Sequence, residues 1–263
     1  MSAAEELTAE TITRELPTRL IGRRVVAYPR IGSTNDEAKG LAAAGEPEGT
    51  LVIAEEQTVG RGRLQRPWWA PRGTALLMSL IFRPHLAPYQ AQRLTMLCSL
   101  AVCDAITEMT GLMPAVKWPN DVLLRGRKVC GILTELGIEG ARLAYAVVGM
   151  GINVNVDFSG TGELAHTATS LAQELGHEVS RLELLRAILV SIEERYTRLR
   201  AGESPHTEWS ARLATLGQRV VVTTPTEQWR GVAEGVDADG ALLLRDEEGM
   251  LHRILAGDVT LRT

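Results

Sequence analysis

AVKWPNDVLLRGRKVCGILTELGIEGARLAYAVVGMGINVNV, residues 115–156, is the stretch on which the fold turns. It breaks into three strand-like runs, AVKWPNDVLL (115–124), RKVCGILTELGI (127–138) and RLAYAVVGMGINVNV (142–156), joined by short turns. A parallel crossover needs a dozen or more residues between strands, so runs this close pair antiparallel. The segment therefore predicts the centre of a largely antiparallel sheet.

Working outward toward the N-terminus, RRVVAYP (23–29), GTLVIAEEQ (49–57) and GTALLMSLIF (73–82) also read as strands. STNDEAKGLAAAG (33–45) reads as a capped helix with a glycine stop, Thr34 and Glu37 fitting a capping box. PYQAQRLTMLCSLAVCDAITEMTG (88–111) is the longest helical segment in this reading, closed by Gly111. Residues 3–20 read as an amphipathic helix outside every motif, and so as a peripheral addition. Toward the C-terminus, TSLAQELG (169–176) and SRLELLRAILVSIEERYTRLRAG (180–202) are helical. After about Leu216 the pattern changes to short strands punctuated by Asp239-Gly240 and Glu248-Gly249, the signature of a small β-barrel. The expected class is α+β: residues 1–215 form a mixed, largely antiparallel sheet with helices, with 1–20 as its N-terminal extension, and residues 216–263 form a five-stranded barrel.

Composition limits what such a chain does. Its 263 residues can bury a sizeable core, and 45% hydrophobic residues with a mean hydropathy of −0.00 fit an ordinary globular chain. No apolar run approaches the roughly eighteen residues of a membrane span. The acidic opening MSAAEELTAE lacks the basic-then-apolar order of a signal peptide, which places the protein in the cytoplasm. A net charge of −4 argues against a nucleic-acid footprint. Cys98, Cys103 and Cys130 form no paired framework, and the five histidines show no metal-ligand spacing. Of 28 basic residues only three are lysines, Lys39, Lys117 and Lys128, and two of these fall within residues 116–133. A lysine kept where arginine is the habit suggests that a compact ammonium is wanted, although chance clustering explains it equally well.

The loop QTVGRGRLQRPWW (57–69) sets Arg61, Arg63 and Arg66 between two buried strands. Its glycines free backbone N–H groups, and its arginines can fork onto phosphate or carboxylate oxygens. No G-K-[ST] follows and no helix begins there, which excludes a Walker A loop. A solvated loop is the plainer alternative. Asn120-Asp121 in KWPND is explained either as a tight turn or as a carboxylate facing an anion site through Mg²⁺. GMGINVN (149–155) is a strand end or a place of close ligand approach. Ser33, Thr34 and Asn35 cap a helix or hold a ligand's polar groups.

Taken in order, GSTN, EEQTVGRGRLQRPWW, KWPNDV, RKVCGIL and GMGINVN resemble the biotin protein ligases, over roughly residues 28–262. The resemblance implies a catalytic domain similar to class II aminoacyl-tRNA synthetases, followed by an SH3-like barrel. It implies ATP-dependent formation of biotinyl-5′-AMP and transfer of biotin to one lysine of a carboxylase's biotin carboxyl carrier domain, with Mg²⁺ as cofactor. By the same resemblance the biotin contacts are Ser33, Thr34, Asn35, Gln57, Arg61, Gly62, Arg63, Lys128 and Gly131. The ATP or adenylate contacts are Arg63, Arg66, Trp68, Asn120, Asp121, Lys128 and Asn153. Lys128, Arg63 and Asp121 are the expected catalytic residues, Lys128 bridging carboxylate and α-phosphate and Asp121 facing the metal. In the empty enzyme, repulsion among the three arginines and the freedom of Gly60 and Gly62 are expected to leave residues 58–66 disordered, and biotinyl-5′-AMP to order them.

Two departures from the family pattern stand out. Leu64-Gln65 precedes Arg66-Pro67-Trp68 where family loops commonly have a glycine, which bears on the roles of Arg66 and Trp68. The chain ahead of the first core strand is short for the winged helix of members that also repress transcription, so a form without DNA binding is expected, as a monomer or weak homodimer. A regulator that only senses the adenylate, a lipoyl or octanoyl transferase, and a pure biotin-binding module are the other classes weighed. The transferase is disfavoured because no R-R-x-x-G-G-G motif is present.

Overall fold

A computed structural model describes residues 6–224 and 226–261. The strands β1 (Val25–Tyr28), β2 (Leu51–Ala54), β3 (Ala75–Phe82), β4 (Ala115–Lys117), β5 (Asp121–Leu124), β6 (Arg127–Glu139) and β7 (Arg142–Asn153) form one sheet in the order β1-β2-β3-β7-β6-β5-β4. Only β1 and β2 pair in parallel, and every other neighbour is antiparallel. The run from β5 through β7 is the meander that residues 115–156 predict.

Period-two alternation decides the two faces. From β3 and β7, Leu76, Met78, Leu80, Phe82, Val148, Met150 and Ile152 point into the main core. There they meet α3 (Gln92–Thr110) and α6 (Arg181–Arg200), which are buried along most of one side. At 20 residues against 19, α6 exceeds α3, so the longest helix is not the one expected. The opposite face is covered by α2 (Thr34–Ala43), whose Ala38 and Ala42 pack on Val52, Ile81 and Val147. Ser33, not Thr34, is the N-cap of α2, accepting from the Asp36 N–H at 3.4 Å. Glu37 takes the Tyr28 hydroxyl at 2.8 Å instead of closing a capping box.

The N-terminal segment differs from the expectation. Residues 3–5 of the anticipated helix lie outside the described residues, and the helix present, α1, spans only Ala9–Thr13. The segment is also not peripheral. Leu7, Ile12, Leu16 and Ile21 are buried in the main core, and the Glu193 carboxylate of α6 accepts the backbone N–H groups of Arg19, Leu20 and Ile21 at 2.6–2.8 Å. Leu7 N–H donates to Glu55, whose carboxylate also meets Arg181 of α6 at 2.6 Å.

The short helices α4 (Leu164–Thr167), α5 (Leu171–Leu175) and α7 (His206–Ala211) complete the helical part. The strands β8 (Arg219–Thr223), β9 (Gln228–Val236), β10 (Leu242–Asp246), β11 (Leu251–Ile254) and β12 (Asp258–Leu261) form a second, antiparallel sheet in the order β11-β10-β9-β8-β12. Gly240 and Gly249 take positive φ (87° and 86°) at its turns, as the Asp-Gly and Glu-Gly pairs predict. The sheet docks through Arg93–Asp239 at 2.8 Å and through Trp118 Nε1, which donates to Gly240 O at 2.8 Å. This contact brings the start of β12 to the loop between β2 and β3. No helix among the described residues is long and apolar enough to cross a membrane.

Candidate functional site

The site lies on the α2 face of the large sheet, and alternation explains its depth. Along β7 the residues facing α2 are Val147, Gly149 and Gly151; Gly131 of β6 stands opposite Gly151, and Ser79 of β3 opposite Gly149. Here the sheet presents main chain in place of side chains. The vacated space is used at once. A Cβ on Gly149 would lie 2.0 Å from Asn35 Oδ1, and one on Gly151 would lie 2.5 Å from the Trp68 ring.

A cavity of about 120 Å³ opens above this floor. Every expected biotin or adenylate contact lines it except Asn153: Ser33, Thr34, Asn35, Gln57, Arg61, Gly62, Arg63, Arg66, Trp68, Asn120, Asp121, Lys128 and Gly131. Asn153 lines a neighbouring cavity of about 460 Å³ that shares Arg66, Trp68, Asp121 and Lys128 with the first. Its side chain donates to Thr169 O at 3.1 Å and Lys128 O at 3.4 Å, so it fixes the main chain beneath Lys128. Trp68 lines both cavities, and its buried Nε1 has no hydrogen-bond partner among the described residues.

One wall is a closed polar network at the start of α2. Gln57 Oε1 accepts from Thr34 N (2.7 Å) and Thr34 Oγ1 (3.0 Å), and the single hydroxyl proton of Ser79 has Asn35 Oδ1 (2.6 Å) and Thr34 Oγ1 (2.8 Å) as alternative acceptors. Asn35 Nδ2 donates to Glu135 Oε2 at 2.8 Å. Three elements are thereby held in one register, as buried polar networks require.

The loop answers the charge problem in its own way. It folds back on itself, Gly62 N–H donating to Arg66 O (2.8 Å) and Trp68 N–H to Gly60 O (2.9 Å). The expected repulsion among its arginines is offset because each has its own acceptor. Arg61 forks onto Asp36, both nitrogens at 2.6 Å, with Glu135 at 3.5 Å. The Arg61 hydrogen bonds hold the Asp36 carboxyl well below the usual carboxylate range, against the opposing effect of burial. Arg63 donates to Gly257 O (3.1 Å) and Asn120 Oδ1 (3.4 Å), and Arg66 meets Asp258 at 2.5 Å. Burial pushes the Arg63 pKa down, and the carboxylates of Asp258 and Asp121 act against this.

Lys128 Nζ lies 2.7 Å from Asp121 Oδ1 and 5.5 Å from the Trp68 ring centroid. Lys128, Asp121 and Arg66 thus converge where the two cavities meet, with Arg63 on the wall of the first. Such an arrangement can neutralise a phosphate and a carboxylate brought together. Among the described residues no group of three or more His, Cys, Asp and Glu side chains could hold a metal ion.

Sequence reasoning missed the counter-ions. Asp36 reads as an ordinary first-turn carboxylate, and Glu135 sits in a run of strand residues with nothing to mark it. Asp258 comes from the far end of the chain and reaches the cavity only because the second sheet docks there.

Comparison with known proteins agrees with this arrangement. Residues 27–153 match the Biotin/lipoate A/B protein ligase family and residues 215–262 the Biotin protein ligase C terminal domain. The chain is 36% identical over 261 residues to the bifunctional ligase/repressor BirA of Bacillus subtilis, covering 97% of this chain and 79% of that protein. It is 37% identical over 226 residues to the biotin–[acetyl-CoA-carboxylase] ligase of Paracoccus denitrificans, covering 84% of this chain and 93% of that one. The biotin protein ligase of Aquifex aeolicus, solved in complex with biotin and ATP, superimposes with a TM-score of 0.76 at 29% identity, over 91% of this chain and 99% of that one. On these matches, spanning both sheets and most of each relative, the chain belongs to the biotin protein ligase family.

Proposed function

We propose that the protein activates biotin with ATP to biotinyl-5′-AMP and transfers the biotinyl group to a lysine of a carboxylase's biotin carboxyl carrier domain. The observation that carries this reading is the convergence of Lys128, Asp121, Arg63 and Arg66 on a floor of bare main chain, beside the closed network of Thr34, Asn35, Gln57 and Ser79.

In this mechanism the carboxylate of biotin attacks the α-phosphate and pyrophosphate leaves. Two anions must approach, and negative charge gathers on the phosphorus oxygens. Lys128 supplies a compact ammonium to both, and Arg63 and Arg66 exchange their resting acceptors for phosphate oxygens. Ser33, Thr34, Asn35, Gln57, Arg61, Gly62 and Gly131 form the biotin side. Arg61 acts there by holding Asp36 and Glu135 in place and does not itself carry net charge to the ligand. Trp68, Asn120, Asp121 and Asn153 form the adenylate side, with Asn153 acting through the Lys128 main chain.

Mg²⁺ fits this donor set as an ion held mainly by phosphates and water, because Asp121 offers one carboxylate and no cluster of three or more His, Cys, Asp or Glu surrounds it among the described residues. Asp121 would hold the ion, which would screen the phosphate charge during attack. We place the boundary between catalytic and C-terminal domains at 215/216, the protein in the cytoplasm, and the active form as a monomer or weak homodimer acting without DNA or membrane. Incubation with biotin, ATP and Mg²⁺ tests the reading. Biotin-dependent release of pyrophosphate, followed by biotin on an added carrier domain, is expected. ATP stable in the presence of biotin would overturn the assignment.

A further inference from the structure

The turn at the tip of the arginine loop is strained. Leu64 and Gln65 have φ of 53° and 58°, in the left-handed region that side chains with a Cβ disfavour. Neither is glycine, so the chain adopts this turn against the preference of its own residues and something else must hold it.

The two residues flanking the turn show what does so. Arg63 donates to the carbonyl of Gly257, and Arg66 meets the carboxylate of Asp258 at 2.5 Å. Both acceptors come from the C-terminal region, Gly257 directly before β12 and Asp258 as the first residue of that strand. That mount is firm. Asp258 pairs with Thr223 of β8, and at Gly257 an added Cβ would lie 2.7 Å from Val222 Cγ1 and 3.2 Å from Thr223 O. Just before it, Leu255 and Ala256 share a cavity with Arg63 and Leu64. Asp258 itself lines the cavity of the candidate site.

We propose that Asp258 is a positioning residue for adenylate formation. From the C-terminal sheet it holds Arg66 while the adjacent Gly257 carbonyl holds Arg63, and together they clamp both ends of the strained turn so that the two guanidinium groups stand at the cavity before an anion arrives. The proposal rests on the ligase reading for the reaction, but the clamp is a property of the ligand-free chain. Asp258 does not touch the reacting atoms; it acts through Arg66.

The test has two arms on the full chain. In the ligand-free protein, trypsin is expected to cut after Arg61 and Arg63 but poorly after Arg66, because Pro67 follows. Asp258→Asn, which keeps the shape and removes the charge, is expected to speed cleavage after Arg61 and Arg63 at least about threefold, with an unchanged melting temperature. Asp258→Glu should restore most of the wild-type resistance. In the second arm, biotin-dependent pyrophosphate release is measured for wild type, Asp258→Asn, Arg66→Ala and the double variant. Asp258→Asn should lower kcat about tenfold while the KM for biotin stays within about twofold, and in the Arg66→Ala background it should cost almost nothing more. Equal cleavage rates for wild type and Asp258→Asn, or additive losses in the double variant, would overturn the clamp. A wild-type protein that releases no pyrophosphate would overturn the ligase reading instead, and the cleavage arm would still decide the clamp.

Discussion

Arg181 and Glu55 form the most deeply placed ion pair of the catalytic sheet, and removing one partner should be among the most damaging single changes outside the cavity. Their side chains are 5% and 11% exposed with nitrogen and oxygen 2.6 Å apart, and Arg181 also donates to Ala75 O at 3.3 Å. Glu55 in turn accepts the Leu7 N–H at 3.2 Å, so the pair ties α6, the end of β2 and the N-terminal segment together. Arg181→Met leaves a carboxylate with little water and no cation. That costs about 3–5 kcal/mol, a large part of the roughly 5–15 kcal/mol a domain has. At about 2–4 °C per kcal/mol for a chain of this size, Tm should fall by about 6–20 °C. Glu55→Leu together with Arg181→Met removes both charges and should recover most of the loss, to within about 2 kcal/mol of wild type, the remainder reflecting the Leu7 N–H left without its acceptor. Urea unfolding followed by circular dichroism measures all three proteins. A single variant within about 1 kcal/mol of wild type, or a double variant as unstable as the single, would refute the reasoning.

Lys128→Ala should reduce single-turnover adenylate formation about 100-fold or more with the fold retained; a rate within about threefold of wild type would remove Lys128 from the reaction. Deleting residues 1–20 should lower the urea midpoint because Leu7, Ile12 and Leu16 leave the core, and an unchanged midpoint would show the segment to be dispensable. At Glu193 burial alone would raise the carboxyl pKa, but the N–H groups of Arg19, Leu20 and Ile21 outweigh it and leave the pKa lowered. A lowered folded pKa contributes stability above the unfolded value that is lost as pH falls through the folded one. The gap between wild type and Glu193→Gln should therefore be wide at about pH 7 and narrow at about pH 3, and a gap that widens in acid would contradict the assignment. Biotin, ATP and Mg²⁺ together should protect Arg61 and Arg63 from trypsin far better than ATP alone, and equal protection would show that the loop does not sense the biotin half of the ligand.

The central meander was legible because turns of two or three residues leave no room for a crossover. The second sheet was legible because Asp239-Gly240 and Glu248-Gly249 mark its turns. The cavity residues were legible as ordered motifs, since a loop, a turn and a glycine-rich strand each carry a local composition. What stayed hidden was long-range. Asp36, Glu135 and Asp258 differ from any surface carboxylate only by what the fold sets against them. The expected N-terminal helix is shorter in the structure because only Ile12 and Leu16 stand one turn apart, while Leu7 and Ile21 would fall on the opposite side of a continuous helix; all four are buried by a chain that leaves the helix after Thr13 and packs its remainder irregularly. Propensity yielded there to tertiary contact.

The bare floor at Gly131, Gly149 and Gly151 has a consequence for how this site can change over time. A surface built of peptide groups offers the same donors and acceptors whatever the codon beneath it. Mutation there can add bulk but cannot introduce a new charge or polarity without first filling the space. New ligand preferences must then arise from the rim, through Asn35, Gln57 and Trp68. The helix start and the loop, which carry the family resemblance, are therefore also the places where a change of side chain can alter the ligand, while the sheet beneath them stays as an inherited template.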